Sequence, residues 1–310
     1  MTASNTLRYE SSVPQLPNGT PLESTAQLMD RITSQLGSQL NLVSLDGRRR
    51  TETAPALIVV AHGSRDPRAL ATVSALLERV RELRPGLTVR LGHIELNEPL
   101  LTDTLAAATG SAVLVPLLLS RGYHVKQDIP EAIAAAPHLD ARVAAPLGPH
   151  PLLVDALHAR LVEAGWPTRP SEAMRRTGGV VLAAAGSRDP DSAADTRRTA
   201  DLLARRIGVP VVPAYASPTA NSPLTVPAAV RSLAARGRHR TAVASYFTAP
   251  GRFAAQCAEA APWITAAPLG DQQAMARLVL HRYEQARTTG AAAPAAPPAT
   301  RPPSRQLTSA

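Results

Sequence analysis

Short apolar runs alternate with amphipathic segments through the middle of the chain. Between residues 55 and 168, the runs ALIVV, LTVRLGHIE, AVLVPLLL and ARVAAPL are typical of strands. The amphipathic stretches that follow them predict helices beginning near positions 66, 99, 128 and 151, and the half 176–286 repeats the same order. Strands that alternate with helices form parallel sheets joined by right-handed crossovers. We therefore predict an α/β fold of two similar parallel-sheet lobes that arose by internal duplication.

The remaining segments lack this alternation. Residues 1–54 are polar and rich in turn formers, apart from a weakly amphipathic stretch at Thr25–Leu42 that predicts a helix, and we expect a disordered N-terminal extension. Residues 287–310 are rich in alanine and proline, which predicts a disordered tail. The stretch Pro167–Gly179 is typical of a linker between the two lobes.

The pentapeptide GSRDP occurs twice, each time after an apolar run. In the first copy His62 precedes it, and in the second copy, 123 residues later, Ala185 takes that place. Aspartate followed by proline favours the start of a helix, because the carboxylate caps free backbone N–H groups and proline suits the first turn. We therefore expect the fold to need the turn in both lobes, and the chemistry to need the histidine in one.

Three polar side chains of the first half follow predicted strands. His62 comes after the first strand, Glu95 ends the second, and His124 follows the third. Because the carboxyl ends of neighbouring parallel strands lie at one edge of a sheet, these side chains are expected to converge there. Two imidazoles and a carboxylate with open coordination positions suit Fe²⁺, Co²⁺ or Ni²⁺, and neutral imidazoles accept protons near pH 7. His93 shares a strand face with Glu95 and is a candidate supporting residue.

Other interpretations of these motifs have less support. Ser64 would be a hydrolase nucleophile only within a G-x-S-x-G elbow, which its surroundings do not supply. The turn Gly63–Asp66 lacks the Lys-Ser/Thr of a phosphate-binding loop and the three glycines of a dinucleotide fingerprint. No two histidines have the spacing of a zinc motif. Five further histidines are expected to be ordinary surface residues: His138, His150, His158, His239 and His281.

Charge and composition narrow the class of partner. The chain carries a formal net charge of +9, and residues 171–286 hold 14 basic against 8 acidic side chains, which attracts an anionic ligand to that half. A nucleic-acid partner is not favoured, because known DNA-binding motifs are missing and aromatic residues make up only 3%. No apolar run reaches membrane-spanning length, no signal-peptide pattern is present, and a lone cysteine, Cys257, suits a reducing compartment. These features predict a cytoplasmic protein.

Three stretches carry a resemblance to a known family. VVAHGSRDP, HIELNEP and PLLLSRGYHVKQDIPEA resemble the signature stretches of the sirohydrochlorin chelatases, the class II chelatases that need no ATP. The resemblance covers about Ala56 to Tyr283 and implies a lyase that inserts Fe²⁺ or Co²⁺ into sirohydrochlorin in siroheme or cobalamin biosynthesis, with no prosthetic group. It also implies that His62 and His124 bind the metal and assist proton removal, and that Glu95 supports them. The residues around Glu95 are less aromatic than the family pattern.

The second copy has lost all three candidate positions. Phe253 matches His124, and no acid stands in the stretch Ala214–Pro218, near the place that corresponds to Glu95. We therefore expect the second lobe to close a cleft over the substrate, which the resemblance implies is a macrocycle rimmed with carboxylates. The residues expected to bind this substrate are Ser64, Arg65, Arg188 and Arg252. The alternative, that Arg188 and Arg252 are solvated and the second lobe is only a packing partner, is equally compatible with the sequence.

Two other classes of function are also compatible with the sequence. A non-catalytic carrier of tetrapyrrole or divalent metal would use the same ligands without turnover. A regulatory or interaction protein would bind no metal, and the retained set of His62, Glu95 and His124 argues against it. The sequence does not choose between a monomer and a homodimer.

Overall fold

The computed structural model describes residues 54–289 of the chain. Within that part, eight strands form two four-stranded sheets, and all paired strands run parallel. The predicted fold class, two similar parallel-sheet α/β lobes, is confirmed. The helix predicted at Thr25–Leu42 and most of the predicted tail lie outside the described residues. No helix between residues 54 and 289 is long and apolar enough to cross a bilayer.

The first lobe contains one sheet and four α-helices. Its strands are β1 (Ala56–Ala61), β2 (Val89–His93), β3 (Ser111–Pro116) and β4 (Asp140–Val143). Its helices are α1 (Pro67–Leu83), α2 (Leu101–Ala106), α3 (Ile129–Ala134) and α4 (Pro151–Glu163). A five-residue π-helix, His124–Asp128, leads directly into α3. The sheet order is β2-β1-β3-β4, so β1 and β3 are central.

A short helix, α5 (Glu172–Thr177), lies where the sequence predicted a linker, and Ser171 caps it by accepting a hydrogen bond from the backbone N–H of Met174.

The strands of the second lobe are β5 (Gly178–Ala184), β6 (Val211–Tyr215), β7 (Arg240–Ser245) and β8 (Ile264–Thr265). Its helices are α6 (Pro190–Ile207), α7 (Val226–Ala234), α8 (Arg252–Ala258) and α9 (Gln273–Thr289), of which α9 runs into the predicted tail. The order β6-β5-β7-β8 repeats that of the first lobe.

The GSRDP turn performs the same structural task in both lobes. Asp66 caps α1 and Asp189 caps α6, each accepting a hydrogen bond from a backbone N–H two residues further on. The glycine has a φ of 101° in Gly63 and 100° in Gly186, a region that favours glycine. A Cβ on Gly63 would lie 1.8 Å from a backbone oxygen of the neighbouring loop, and one on Gly186 would lie 2.0 Å from the corresponding oxygen. The turn therefore has the same geometry and the same capping role in both lobes.

The last helix of each half packs on the other half. Helix α4 packs against α6 and β7 of the second lobe, whereas α9 returns to pack against α1, α4 and β3 of the first. As a result, one apolar core runs through both lobes, with Leu157 of α4 and Leu278 of α9 fully buried in it. The two lobes therefore belong to one compact unit and share a core.

One histidine predicted to be an ordinary surface residue has a structural role. His150 is half-buried at the start of α4, where its Nδ1 accepts a hydrogen bond from the backbone N–H of Leu152 at 3.1 Å. Its ring lies 4.7 Å from that of His281. Burial and the nearby Arg282 lower the pKa of His150 to about 4, which keeps the ring neutral and able to accept.

Candidate active site

The three candidate side chains lie at the carboxyl edge of the first sheet. His62 follows β1 directly, and Glu95 stands just beyond the end of β2. The backbone N–H of Glu95 donates to the carbonyl oxygen of His62 at 3.1 Å, which continues the pairing of the two strands into the loops. His124 begins the π-helix that follows β3. Sheet order therefore brings together residues that are far apart in the sequence.

The side chains themselves are in contact. The rings of His62 and His124 have centroids 4.7 Å apart and stand almost perpendicular, at 87°. Nδ1 of His62 lies 3.5 Å from Oε1 of Glu95. The side chains of His62 and His124 are 44% and 35% exposed, so both rings are accessible from the cleft between the lobes.

A fourth residue, Asp128, belongs to this group and was not identified from the sequence. Its Oδ2 lies 2.5 Å from Nδ1 of His124, four residues earlier. The signal was present in the spacing of HVKQD, because side chains four residues apart meet on a helix. It was missed because the helix was predicted to begin at Asp128, whereas the helical turn begins at His124.

These contacts determine which ring nitrogens are available. Ionised carboxylates only accept hydrogen bonds, so Nδ1 of His124 carries the proton that it donates to Asp128. Nδ1 of His62 likewise faces acceptors, the carboxylate of Glu95 and the carbonyl oxygen of Gly63 at 3.3 Å. In both neutral rings the lone pair is then on Nε2, the nitrogen that can bind a metal or accept a proton.

Within residues 54–289, no three His, Cys, Asp or Glu side chains form a group that could hold a metal ion by themselves. His62 and His124 therefore provide two imidazole donors, and most coordination positions of a divalent ion would remain open. A resident structural metal is normally enclosed by four protein ligands. An open pair of imidazoles is better suited to an ion that must be passed on.

The space in front of the histidines has two compartments, and both lobes line each of them. The first, the main cleft, has a volume of about 1030 Å³ and includes both histidines together with Tyr215, Tyr246 and Phe253. The second, the side cleft, has a volume of about 880 Å³. It is lined on the first lobe by residues of the GSRDP turn and by Leu96, and on the second lobe by 247–255. The two meet at His62, Ala185, Phe247, Thr248 and Phe253.

The predicted substrate-binding residues are divided between these compartments. Arg65 and Arg252 line the side cleft and Arg188 lines the main cleft, and all three are exposed. Within the described residues none of these guanidinium groups is paired with a carboxylate, and Arg252 stacks over Phe253 at 4.8 Å. Ser64 also lines the side cleft, where its Oγ accepts a hydrogen bond from the backbone N–H of Asp66 at 3.1 Å.

The contacts of His93 differ from the predicted ones, in which it supported Glu95. It is buried, with 2% of its surface exposed, and its Nδ1 lies 3.2 Å from the carbonyl oxygen of Pro99. The ring therefore supports the loop after β2 rather than the carboxylate of Glu95.

The second lobe carries the same loops without the titratable groups. Ser217 donates its backbone N–H to the carbonyl oxygen of Ala185 at 2.8 Å, as Glu95 does to His62. Ala185 and Ser217 thus occupy the places of His62 and Glu95, and Phe253 stands in the place of His124. The second copy has the scaffold of the site but not its donors.

The fold and the site together define a two-lobed α/β protein, built by duplication, with one imidazole pair at the mouth of its cleft. The CbiX family model matches residues 56–164 and again 179–286. The chain belongs to the CbiX family, and each lobe is one copy of the family's unit.

Proteins named as sirohydrochlorin chelatases are similar to this chain. It is 36% identical over 89 residues to the sirohydrochlorin cobaltochelatase of Methanopyrus kandleri, a match that covers 27% of this chain and 62% of that protein. It is 32% identical over 170 residues to the sirohydrochlorin ferrochelatase of Bacillus subtilis, covering 52% of this chain and 62% of the relative. The matches therefore span less than two thirds of these two relatives.

Solved structures share the fold over most of their length. SirB from Bacillus subtilis with Fe³⁺ superposes with a TM-score of 0.62 and 22% identity, covering 76% of this chain and 97% of SirB. CbiX, described as the terminal enzyme for biosynthesis of siroheme in denitrifying bacteria, gives a TM-score of 0.57 and 21% identity, covering 74% and 99%. At these identities the likeness concerns the fold alone.

Proposed function

We propose that the protein is a sirohydrochlorin chelatase that inserts Fe²⁺ or Co²⁺ into the macrocycle without ATP. The observation that carries the proposal is the contact between His62 and His124, with ring centroids 4.7 Å apart at the mouth of a cleft. Membership of the CbiX family and similarity to proteins named as cobaltochelatase and ferrochelatase support the choice of substrate. The divalent ion is a substrate in this reaction and not a resident cofactor.

The two imidazoles would serve first as ligands and then as bases. Nε2 of His62 and Nε2 of His124 bind the incoming ion and present it to one face of the macrocycle. As the ion moves to the pyrrole nitrogens, each Nε2 regains its lone pair and accepts one of the two N–H protons that leave the ring. Charge and protons then balance, because one divalent ion enters and two protons depart.

The neighbouring carboxylates would support both steps. Glu95, 3.5 Å from Nδ1 of His62, stabilises the imidazolium that forms and passes a proton on to solvent. Asp128, at 2.5 Å from Nδ1 of His124, fixes the orientation and the tautomer of that ring. Both carboxylates act through an imidazole and not on the macrocycle itself.

The arginines would bind the carboxylates on the rim of the substrate. Arg65 and Arg252 lie on the side cleft and Arg188 on the main cleft, and an unpaired guanidinium binds a carboxylate with two parallel hydrogen bonds. Ser64 lies beside Arg65 and offers a hydroxyl proton to the same rim. Aromatic side chains of the main cleft face the flat sides of the ring.

The experiment is anaerobic incubation of sirohydrochlorin with Fe²⁺ or Co²⁺ and a substoichiometric amount of protein, followed by visible absorbance. Multiple turnover above the spontaneous rate supports a chelatase, whereas a single stoichiometric event indicates a carrier. The variant His239→Ala serves as a control, because His239 is exposed outside the site. If wild-type protein gives no more than the spontaneous rate, the proposed activity is wrong.

We further propose that one chain suffices for activity, in the cytoplasm, in a monomer or a homodimer. Both lobes of one chain line the main cleft, so the site needs no residue from a second copy. Burial raises the pKa of the Cys257 thiol to about 11, which keeps this cysteine protonated and unreactive. Sedimentation at assay concentration measures the oligomeric state directly.

A further inference from the structure

The segment that carries His124 is not held in place by apolar packing. None of the five side chains of the π-helix His124–Asp128 is buried, although Ile129 directly after it is. Arg121 and Tyr123 before the π-helix are exposed as well. Asp128 orients the ring of His124 from within the segment, but the position of the segment relative to His62 needs a contact with another part of the fold.

Polar contacts with the second lobe supply that interaction at the start of the segment. The backbone N–H and the Nε of Arg121 both donate to Oδ2 of Asp195 at 3.0 Å, and Nη2 donates to Oδ1 at 2.7 Å. The carboxylate of Asp195 is only 5% exposed, so this contact is shielded from water on one side. Next to it, the hydroxyl groups of Ser120 and Ser192 are 2.9 Å apart.

A second contact lies inside the π-helix itself. Nζ of Lys126, the only lysine of the chain, is 2.7 Å from Oδ2 of Asp189 and 2.9 Å from Oδ2 of Asp191. Asp189 is also the residue that caps α6 in the second GSRDP turn. The mutual attraction lowers the pKa of Asp189 and raises that of Lys126, so both remain charged in the neutral range.

The equivalent loop of the second lobe, residues 247–255, faces the first GSRDP turn across the side cleft, and the two described segments share no ion pair. There the first-lobe aspartate, Asp66, pairs at 2.7 Å with Arg68 at the start of α1. The loop opposite carries Pro250 and Ala255 at the places of Arg121 and Lys126. Among the described residues, no ion pair joins that loop to the first GSRDP turn. The charged contacts are therefore confined to the side that carries an imidazole.

We infer that Asp189, Asp191 and Asp195 of the second lobe are positioning residues for His124, which they hold in place through Lys126 and Arg121. This inference rests on the proposed function, since it assigns a role within the same site. Asp189 then has two tasks, since it caps α6 and pairs with Lys126. The second copy supplies carboxylates that orient the loop of the first.

The test compares steady-state kinetics of four single variants with wild-type protein. Lys126→Met removes the charge and Lys126→Arg restores it. Asp191→Asn changes a half-buried partner that does not cap α6. Arg79→Met removes a different ion pair between the halves, Arg79 Nε to Asp271 Oδ2 at 3.1 Å, which lies outside both clefts.

We expect Lys126→Met and Asp191→Asn to lower kcat by about 10-fold or more, because small displacements of a reacting group cost up to about 100-fold. KM for the macrocycle should change little, Lys126→Arg should recover most of the rate, and Arg79→Met should match wild type. The loss in the double variant Lys126→Met, Asp191→Asn should be smaller than the product of the two single losses, since both changes remove the contact between Lys126 and Asp191.

The inference is overturned if wild-type protein turns over and Lys126→Met keeps the kcat of Arg79→Met. It is also overturned if the two single losses multiply in the double variant. Failure of wild-type protein to turn over is a different result, which rejects the proposed function instead. Should Lys126→Met not fold, Asp191→Asn decides the question. The inference is then overturned if Asp191→Asn keeps the kcat of Arg79→Met.

Discussion

The ring of His124 stands edge-on to the ring of His62, with centroids 4.7 Å apart, although the two histidines are 62 positions apart in the chain. This contact follows from topology, because β1 and β3 are neighbours in the sheet and both residues lie beyond their carboxyl ends. A parallel sheet thus places two loops side by side without any local sequence signal. The contact gives the site its two imidazole donors.

Removing either imidazole should abolish most of the activity and leave the fold intact. For His62→Ala and for His124→Ala we expect kcat to fall by about 100- to 10,000-fold, the range for losing a positioned proton acceptor. Circular dichroism should be unchanged, because both side chains are partly exposed. Near-normal turnover of both variants, measured beside His239→Ala, would show that the imidazole pair is not the site.

Asp128 should matter through the tautomer of His124. An amide can donate as well as accept, so Asp128→Asn no longer requires Nδ1 of His124 to carry the proton. We expect about a 10- to 100-fold loss of Co²⁺ affinity or of turnover, as is typical for a partner of a metal-binding histidine. Titration of the protein with Co²⁺ measures the affinity, and the chelatase assay measures the turnover. Glu131→Gln, an exposed acid in the following turn, is the matched control, and equal behaviour of the two variants would refute this role.

Much of the fold and the centre of the site follow from the sequence. The alternation of apolar runs and amphipathic segments predicted two parallel sheets. The rule that strand ends share an edge then placed His62, Glu95 and His124 together. These predictions succeed because they depend on periodicity and strand order, which are properties of the chain itself.

The features that the sequence did not predict depend on which surfaces pack against each other in the folded protein. The apolar faces of α4 and α9 look the same whichever sheet they cover, so their exchange between the lobes is not visible in the sequence. The contact of Lys126 with Asp189 joins residues from different halves and has no spacing signal. Asp128 was missed because the sequence predicted a helix that begins at Asp128, whereas the helical segment already begins at His124.

Stability should fall between pH 7 and pH 4 because of His150. Its pKa is lowered from the usual 6.5 to about 4 in the folded protein, mainly by burial, with Arg282 and His281 adding repulsion. A lowered pKa means that folding favours the neutral ring. The stabilisation is complete above pH 6.5, is lost as the pH falls towards 4, and amounts to roughly 3 kcal/mol at most.

Urea unfolding at pH 7.5 and pH 5 measures this loss. His150→Asn keeps an acceptor at the start of α4 but does not titrate, so its stability should depend less on pH than that of wild type. His158, whose pKa is also lowered by burial, leaves a smaller dependence of the same sign. An unchanged pH dependence in His150→Asn, equal to that of His239→Asn, would contradict the assignment.

Because one core runs through both lobes, the described part of the chain should unfold in a single transition. Leu157 of α4 and Leu278 of α9 are fully buried, and each helix covers the sheet of the other half. Leu157→Ala and Leu278→Ala should each lower the free energy of unfolding by about 2–5 kcal/mol, whereas Leu83→Ala, on the exposed side of α1, should cost less than about 0.5 kcal/mol. Tryptophan fluorescence, which reports Trp166 and Trp263 near one another, should follow the same curve as far-UV circular dichroism. Two separate transitions in either core variant would mean that the exchanged helices do not couple the lobes.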